Sequence, residues 1–532
     1  MFKEIDFMVS FYTFMFWACA FMTAVATTYA RKFSQSAPGT KIGTSPAFKQ
    51  FQFTYLAVYF MMMAGDWLQG PYVYALYDSY GYSQEDIAVL FVAGFGSSMF
   101  FGTFVGSLAD RLGRKRFCLL YAILYIASCL TKHVKSFHVL MLGRLLGGVA
   151  TSLLFSVFDA WMVCEHDARG FSPDWLSETF SSAAFGNSVV AITAGMVAQA
   201  AADAVTLTPT SEGSNFMYGG FCMPFDLAIV ILIIGVSVLY LTWNENVGSD
   251  NGDGSGSSGN GPLSASSSER GDAEAGGSSG DGDRKKEGGE VTFANLVDVQ
   301  GLQKGVTLMR RDPVIAICGM LQSLFEGSMY IFVFMWTPAL TPPPTSAGLA
   351  DSNSSEEGVE HATPPPYGQM FATFMVCCMC GSSLFSMLSK KWGLSAESLL
   401  LRVFLASSLA LSVPVFFAGN PTLTYVAFLV FECCVGIYFP AMGTMKSNIV
   451  PEESRAALYN LFRVPLNVIV LGVLLSDMKT SVAFGWSSAL LLSGAALQYH
   501  LTQRISSSET AAVDVDAAEG SLDDLLSKVD RE

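Results

Sequence analysis

Long apolar runs, each closed by a short polar or glycine- and proline-rich break, recur along this chain. A helix needs roughly 20 apolar residues to cross a bilayer. Runs of that order lie at residues 5–29, 51–77, 87–109, 117–132, 139–164, 179–202 and 221–243. They resume at 314–340, 368–389, 399–418, 423–445, 456–475 and 482–501, with 117–132 the shortest and open to extension into 134–139. Thirteen spanning helices are the expectation. Three stretches lack the pattern: a Gly/Ser-rich segment at 248–289, a proline-rich one at 341–367, and an acidic tail after Ser508.

Composition bears this out. Hydrophobic residues make up 51% of 532, and 41 of them are phenylalanine; mean hydropathy is +0.41. A soluble domain could not hide that much apolar surface, whereas a multispanning protein gives it to lipid. The net charge of −15 reports no cationic partner, because the acids concentrate in 250–290 and in the tail, both expected to be solvated and disordered. Several of the eleven cysteines sit inside apolar runs (Cys377, Cys378, Cys380, Cys433, Cys434), which reads as small core thiols. No Ser-His-Asp set, phosphate-cradling glycine loop or zinc-spaced cysteine pair occurs. Neither catalysis, nor a cofactor, nor a metal, nor a nucleic-acid partner is expected.

One charged segment carries the most information: Gly106-Ser107-Leu108-Ala109-Asp110-Arg111-Leu112-Gly113-Arg114-Lys115-Arg116, between the runs at 87–109 and 117–132. Glycines at 106 and 113 permit close helix approach and a tight turn. The clustered cations hold this loop on the cytoplasmic side. The pattern resembles the signature loop between the second and third helices of the major facilitator superfamily. That resemblance implies two six-helix bundles around a midplane cavity, with Gly106, Asp110, Arg111, Gly113 and Arg114 in gating and Asp110–Arg114 as a lock between helices on the cytoplasmic face in the outward-open state.

Counting from this loop, the first core helix is 51–77 and the run at 5–29 is an additional N-terminal helix. The fold class expected is thus an all-α membrane protein of the facilitator fold plus one helix. Its parts are 1–50 (extra helix and basic loop), 51–246 (first bundle), 247–312 (flexible cytoplasmic linker), 313–503 (second bundle) and 504–532 (acidic cytoplasmic tail). Arg31, Lys32, Lys41 and Lys49 follow the first run, which puts the N-terminus outside; a cleaved signal peptide is the competing reading. Lys390, Lys391, Lys446, Arg455 and Arg504 then fall inside, and Asn353, a glycosylation acceptor, outside.

Ionisable residues at bilayer depth are candidates by default. Asp66 and Glu326 lie mid-span in the first helix of each half, at matched depth, and with Glu432 are the proton-coupling candidates; the alternative is that each is capped by a local partner and only orients helices. Arg144, whose Gly143-Arg144-Leu145-Leu146-Gly147-Gly148 context resembles the facilitator motif of core helix four, and Arg463 in core helix eleven suit an oxyanion, since a guanidinium is a fixed charge with a donor fork. Gln69 and Asn187 complete the substrate-binding set. Laying Gly436 on Gly148 lays Glu432 on Arg144, so plain Arg144–Glu432 or Arg463–Glu326 ion pairs stay open as the structural alternative. Asp159 and Glu165 read as interfacial or gating, and His133, His138 and His166 as solvated loop-edge residues.

Further segments, among them Asp66-Trp67-Leu68-Gln69-Gly70-Pro71-Tyr72, Leu324-Phe325-Glu326, Tyr438-Phe439-Pro440 and Asn460-Leu461-Phe462-Arg463-Val464-Pro465, resemble the molybdate-anion transporter family from about residue 51 to 501. The resemblance implies a secondary transporter moving molybdate or a related oxyanion; the mid-span carboxylates add the expectation of protons as the coupled ion, and a monomer in the lipid bilayer of the plasma membrane is expected. A facilitator for an organic solute and a non-transporting sensor with a cytoplasmic partner remain alternatives.

Overall fold

Proline, glycine and hydroxyl side chains decide where the apolar runs break. The computed structural model describes residues 2–34, 45–247, 299–341, 364–451, 455–476 and 478–529. Helix α1 (Phe2–Ser34) precedes a first bundle of α2 (Pro46–Trp67), α3 (Val73–Ser79), α4 (Gln84–Gly102), α5 (Val105–Leu112), α6 (Arg114–Thr131), α7 (Phe137–Leu154), α8 (Val157–Ala168), α9 (Pro173–Ala204) and α10 (Met223–Thr242). Helix α11 (Val299–Arg311) leads into the second bundle, α12 (Pro313–Leu340), α13 (Tyr367–Trp392), α14 (Ala396–Phe416), α15 (Pro421–Ile449), α16 (Arg455–Leu474) and α17 (Thr480–Val529). The small antiparallel ribbon β1 (Thr208–Pro209) and β2 (Met217–Tyr218) joins α9 to α10.

Every apolar run is helical. Among the described residues, ten helical segments are long and apolar enough to cross a membrane, and Leu461–Leu474 is a shorter apolar helix. The first core helix is split into α2 and α3 because Pro71 has no N–H and pushes Gly70 out of helical geometry. The fourth is split at Phe155–Ser156, where Ser152 and Ser156 hydroxyls bond back to the carbonyls of Gly148 (3.2 Å) and Ser152 (2.6 Å).

Three expectations change. The signature segment is hardly a loop: α5 covers most of it, and only Gly113, at φ 110°, interrupts the chain before α6 starts. The span assigned to the flexible linker ends in the amphipathic helix α11, whose Leu308 and Met309 pack on Ile315, Leu458 and Phe462. The tail expected to be disordered continues α17 as helix to Val529, consistent with its Ala-, Leu- and Glu-containing sequence. Residues 248–298 of the linker, and Asn353 with most of its loop, lie outside the described residues.

Close helix crossings fix each bundle. At α4–α7 a Cβ on Gly148 would collide with the Gly94 carbonyl and Ser97, and at α13–α15 a Cβ on Gly436 would collide with the Cys378 carbonyl. The described hydrogen bonds and ring contacts that join the two bundles lie in the half of the molecule away from the Gly113 turn. There Gln84 donates to the Met478 carbonyl (3.2 Å), Gly368 N donates to Gln199 (2.9 Å), and Phe334 meets Phe91 (5.2 Å) and Tyr74 (5.6 Å). Helix α1 follows a different plan. It precedes the first bundle in sequence but seats on the second, through Thr23 to the Val376 carbonyl (3.1 Å) and Gln369 to Thr13 (3.1 Å).

Candidate functional site

Gln322, Glu326 and Tyr330 are four residues apart on α12 and so share one face. Tyr438 and Lys446 from α15, and Tyr459 and Arg463 from α16, converge on it. The Tyr438 hydroxyl donates to Glu326 Oε1 (3.3 Å), and its ring stacks on Phe325 at 3.8 Å. Lys446 Nζ donates to Gln322 Oε1 (3.2 Å) and lies 4.5 Å from the Tyr459 ring centre. Arg463 is exposed and within electrostatic reach of Glu326, Tyr330 and Lys446. Tyr330 in turn meets Phe95 of the first bundle at 5.2 Å, so this wall faces the space between the bundles. Two cations and one carboxylate leave the cluster with a surplus positive charge.

The ion pairs among the described residues are Arg114–Asp110, Arg116–Glu245, His133–Asp226 and Arg169–Glu165. Arg144–Glu432 and Arg463–Glu326 are absent from that set. Arg144 instead turns toward α4, donating to the Leu90 carbonyl (3.2 Å) with its guanidinium 4.6 Å over the Phe91 ring, in space left by Gly94. Glu432 is buried, within electrostatic reach of Cys377 and Cys378 of α13. Asp66 accepts a hydrogen bond from the Tyr125 hydroxyl, between α2 and α6. Asn187 accepts from Trp67 Nε1 (2.8 Å), and Gln69 donates back to the Gly65 carbonyl (2.8 Å). Of the substrate-binding and proton-coupling candidates, only Glu326 and Arg463 are brought together among the described residues.

At the signature turn Arg114 Nε donates to Asp110 Oδ1 (2.7 Å) across Gly113. Gly106 and Arg111 flank this pair on α5. The chain leaving α10 clamps the same turn: Glu245 accepts from Lys115 N (2.9 Å), the Asn246 carbonyl from Arg114 N (3.0 Å), and the Trp243 carbonyl from Lys115 Nζ (2.6 Å). Asp159 accepts from the Tyr55 hydroxyl (3.0 Å), and Glu165 pairs with Arg169 (2.8 Å).

Two histidines expected in solvent are buried. His166 is sealed by Phe48 and Phe171 and bonds the Ser172 carbonyl (2.9 Å). His133 pairs with Asp226 (2.9 Å) under Phe216, because the β1–β2 ribbon folds over the α6–α7 connection; His138 is exposed as expected. Sequence reasoning also missed Lys446, taken for a topology flank at the end of its run. The available signal was the four-residue spacing of Gln322, Glu326 and Tyr330, which marks a polar face for that lysine to meet. Lys132 is a second omission: 1% exposed, with Nζ on the Tyr77 hydroxyl (2.9 Å).

Residues 11–258 and 289–437 match a family described as sugar transporters with twelve transmembrane segments. The chain is 34% identical over 437 residues to a molybdate-anion transporter of Xenopus tropicalis, covering 81% of this chain and 80% of that protein. It is 31% identical to one of Danio rerio, covering 84% and 83%. Among solved structures it is similar to a nucleoside transporter (TM-score 0.56, 12% identity, 85% and 99% covered) and to a D-xylose–proton symporter (TM-score 0.56, 12% identity, 84% and 97% covered). At such identities these two speak for the fold alone.

Proposed function

The chain belongs to the family of molybdate-anion transporters, within the major facilitator superfamily, and from that premise we propose that it carries a tetrahedral oxyanion, molybdate foremost, by alternating access. The observation that carries this reading is Arg463, an exposed guanidinium on the wall between the bundles that enters no ion pair among the described residues. Such a group keeps its charge and offers paired donors to two oxygens. Arg144, behind the Phe91–Phe334 contact, is the fixed cation of the opposite bundle and meets the anion when that contact opens.

With the basic Gly113 turn on the cytoplasmic side, the arrangement is an inward-facing form, sealed outside and open inside. The Arg114–Asp110 pair, four residues apart across one turn, is formed in it too, so on this reading the pair is not confined to the outward-open state. Glu326 is the proton site nearest the anion, with Asp66 and Glu432 as deeper carboxyls of their own bundles. Gln69 and Asn187 hold the outer part of the first core helix in register. The protein acts as a monomer in the plasma membrane.

Uptake of labelled molybdate by vesicles containing the purified protein tests the reading. R463Q and R144Q keep hydrogen-bonding capacity and lose the charge. Each is expected to raise the apparent KM for molybdate about tenfold, the scale of a lost charge-assisted contact, at unchanged expression. Wild-type KM in both variants would show that these cations are structural.

A further inference from the structure

A lysine three residues from the end of its helix, serving only to set topology, would turn its ammonium out to water. Lys446 of α15 does the opposite. Its Nζ reaches Gln322, one turn before Glu326 on α12, and lies over the Tyr459 ring, one turn before Arg463 on α16. The chain thereby gathers two cations around one carboxylate from three different helices. We propose that Lys446 joins Arg463 as a cationic ligand of the oxyanion in this arrangement, where Arg144 is shut behind the Phe91–Phe334 contact, and that the Glu326 carboxylate holds the anion's place beside Lys446 and Arg463 until it takes up a proton. This inference rests on the oxyanion reading above.

Charge balance makes the argument. With Glu326 ionised, the cluster carries one net positive charge, and a dianion entering it leaves one negative charge in a site walled by Phe95, Phe325 and Tyr438. With Glu326 protonated, Lys446 and Arg463 match the dianion and the filled site is neutral. Burying uncompensated charge is costly, so anion and proton stabilise each other's binding. Tyr438 suits both states of Glu326, since a phenol oxygen can donate to a carboxylate or accept from a carboxylic acid. Among the described residues the groups facing Glu326 are few: Lys446 and Tyr438 from α15, Arg463 from α16, and Gln322 and Tyr330 from α12 itself, with Tyr459 and Cys318 behind Lys446. Among the described residues, α17 reaches α12 nearby through the Ser487 carbonyl, which accepts from Ser328, and α4 through the Phe95 ring on Tyr330. No second carboxylate among them competes for the proton.

The test is direct binding of molybdate to the purified full-length protein by calorimetry, from mildly acidic to mildly alkaline pH, for wild type, E326Q, K446Q and K446R. Wild-type affinity is expected to rise as pH falls. E326Q, which mimics the protonated carboxyl, should bind at every pH as wild type does at the acid end. K446Q should bind about tenfold or more weakly throughout, and K446R should keep affinity within a few fold. A K446Q protein with wild-type affinity, or an E326Q protein that keeps the wild-type pH dependence, overturns the proposal while oxyanion binding stands. Wild-type protein that binds neither molybdate nor sulfate overturns the transport reading itself, and this proposal with it. Should K446Q fail to fold, E326Q and K446R still decide.

Discussion

Lys132 and His133 are sequence neighbours with opposite electrostatic situations. His133 has an acidic partner: its hydrogen bond to Asp226, helped by Cys222, holds the imidazolium so firmly that its pKa is raised from 6.5 to about 10. The folded protein therefore keeps a proton between those values that the unfolded chain gives up. The pair's contribution is fully present below about pH 6.5 and is lost as pH rises through about 10. Thermal melts of wild type and D226N across that window should show it: wild type loses stability toward alkaline pH, and D226N is less stable at neutral pH with a flatter profile. Identical slopes would mean that the pair does not exist in solution. Lys132 has no carboxylate partner among the described residues; its amino group is buried against the Tyr77 hydroxyl within electrostatic reach of Arg144. K132M should leave stability unchanged or raise it by about 1 kcal/mol, as when buried charge gives way to an apolar side chain. A melting temperature well below wild type would disprove that reading. Neither situation was legible in the sequence, where a Lys-His pair at a run's edge looks solvated. The residues that bury it, Tyr77, Tyr80, Phe216 and Asp226, come from distant parts of the chain.

At the scale of elements, the two bundles repeat one device. Helix α4 crosses α7 at Gly148, and α13 crosses α15 at Gly436, each glycine facing a backbone carbonyl of its partner helix. Because the obstacle is backbone, it cannot rotate away. G148A and G436A should each cost about 1–3 kcal/mol, the range for overpacking, seen as lower yield and melting temperature; wild-type values would mean that the crossings are looser. This repeat was visible in the sequence as the alignment of Gly436 on Gly148, but its extension to an Arg144–Glu432 pair was not sound. Backbone spacing survives pseudo-symmetry, whereas side-chain direction depends on local neighbours, here Phe91 for Arg144 and α13 for Glu432. The signature turn gives a second prediction. D110N or R114A removes the 2.7 Å pair but leaves the Glu245 and Asn246 clamps on the turn. Uptake should slow while the KM for molybdate stays near wild type. A pure affinity loss at unchanged maximal rate would show that the turn does not gate.

The apolar runs carry the whole-molecule plan because lipid imposes length and polarity on each segment separately. Which faces of the two bundles meet depends on long-range contacts between rings and glycines, and periodicity does not encode that. The contacts define one closed end. Gln84 at the start of α4 donates to the Met478 carbonyl between α16 and α17, while Phe334 of α12 sits against Tyr74 and Phe91. Alternating access requires these contacts to part once per cycle, since the anion otherwise has no route past them. A disulfide across this seam should therefore trap one state. In a background with the native cysteines replaced, Q84C combined with M478C should cross-link on mild oxidation and abolish molybdate uptake, with recovery on adding reductant. Each single variant should transport with or without oxidant. On the proposed inward-facing reading, in which the Arg463 wall opens toward the end bearing the Gly113 turn, the cross-linked protein should still bind molybdate in detergent with near wild-type affinity. Full uptake by quantitatively cross-linked protein would mean that the seam does not open during transport, and loss of binding on cross-linking would place the anion site within the seam instead of on the α12–α15–α16 wall.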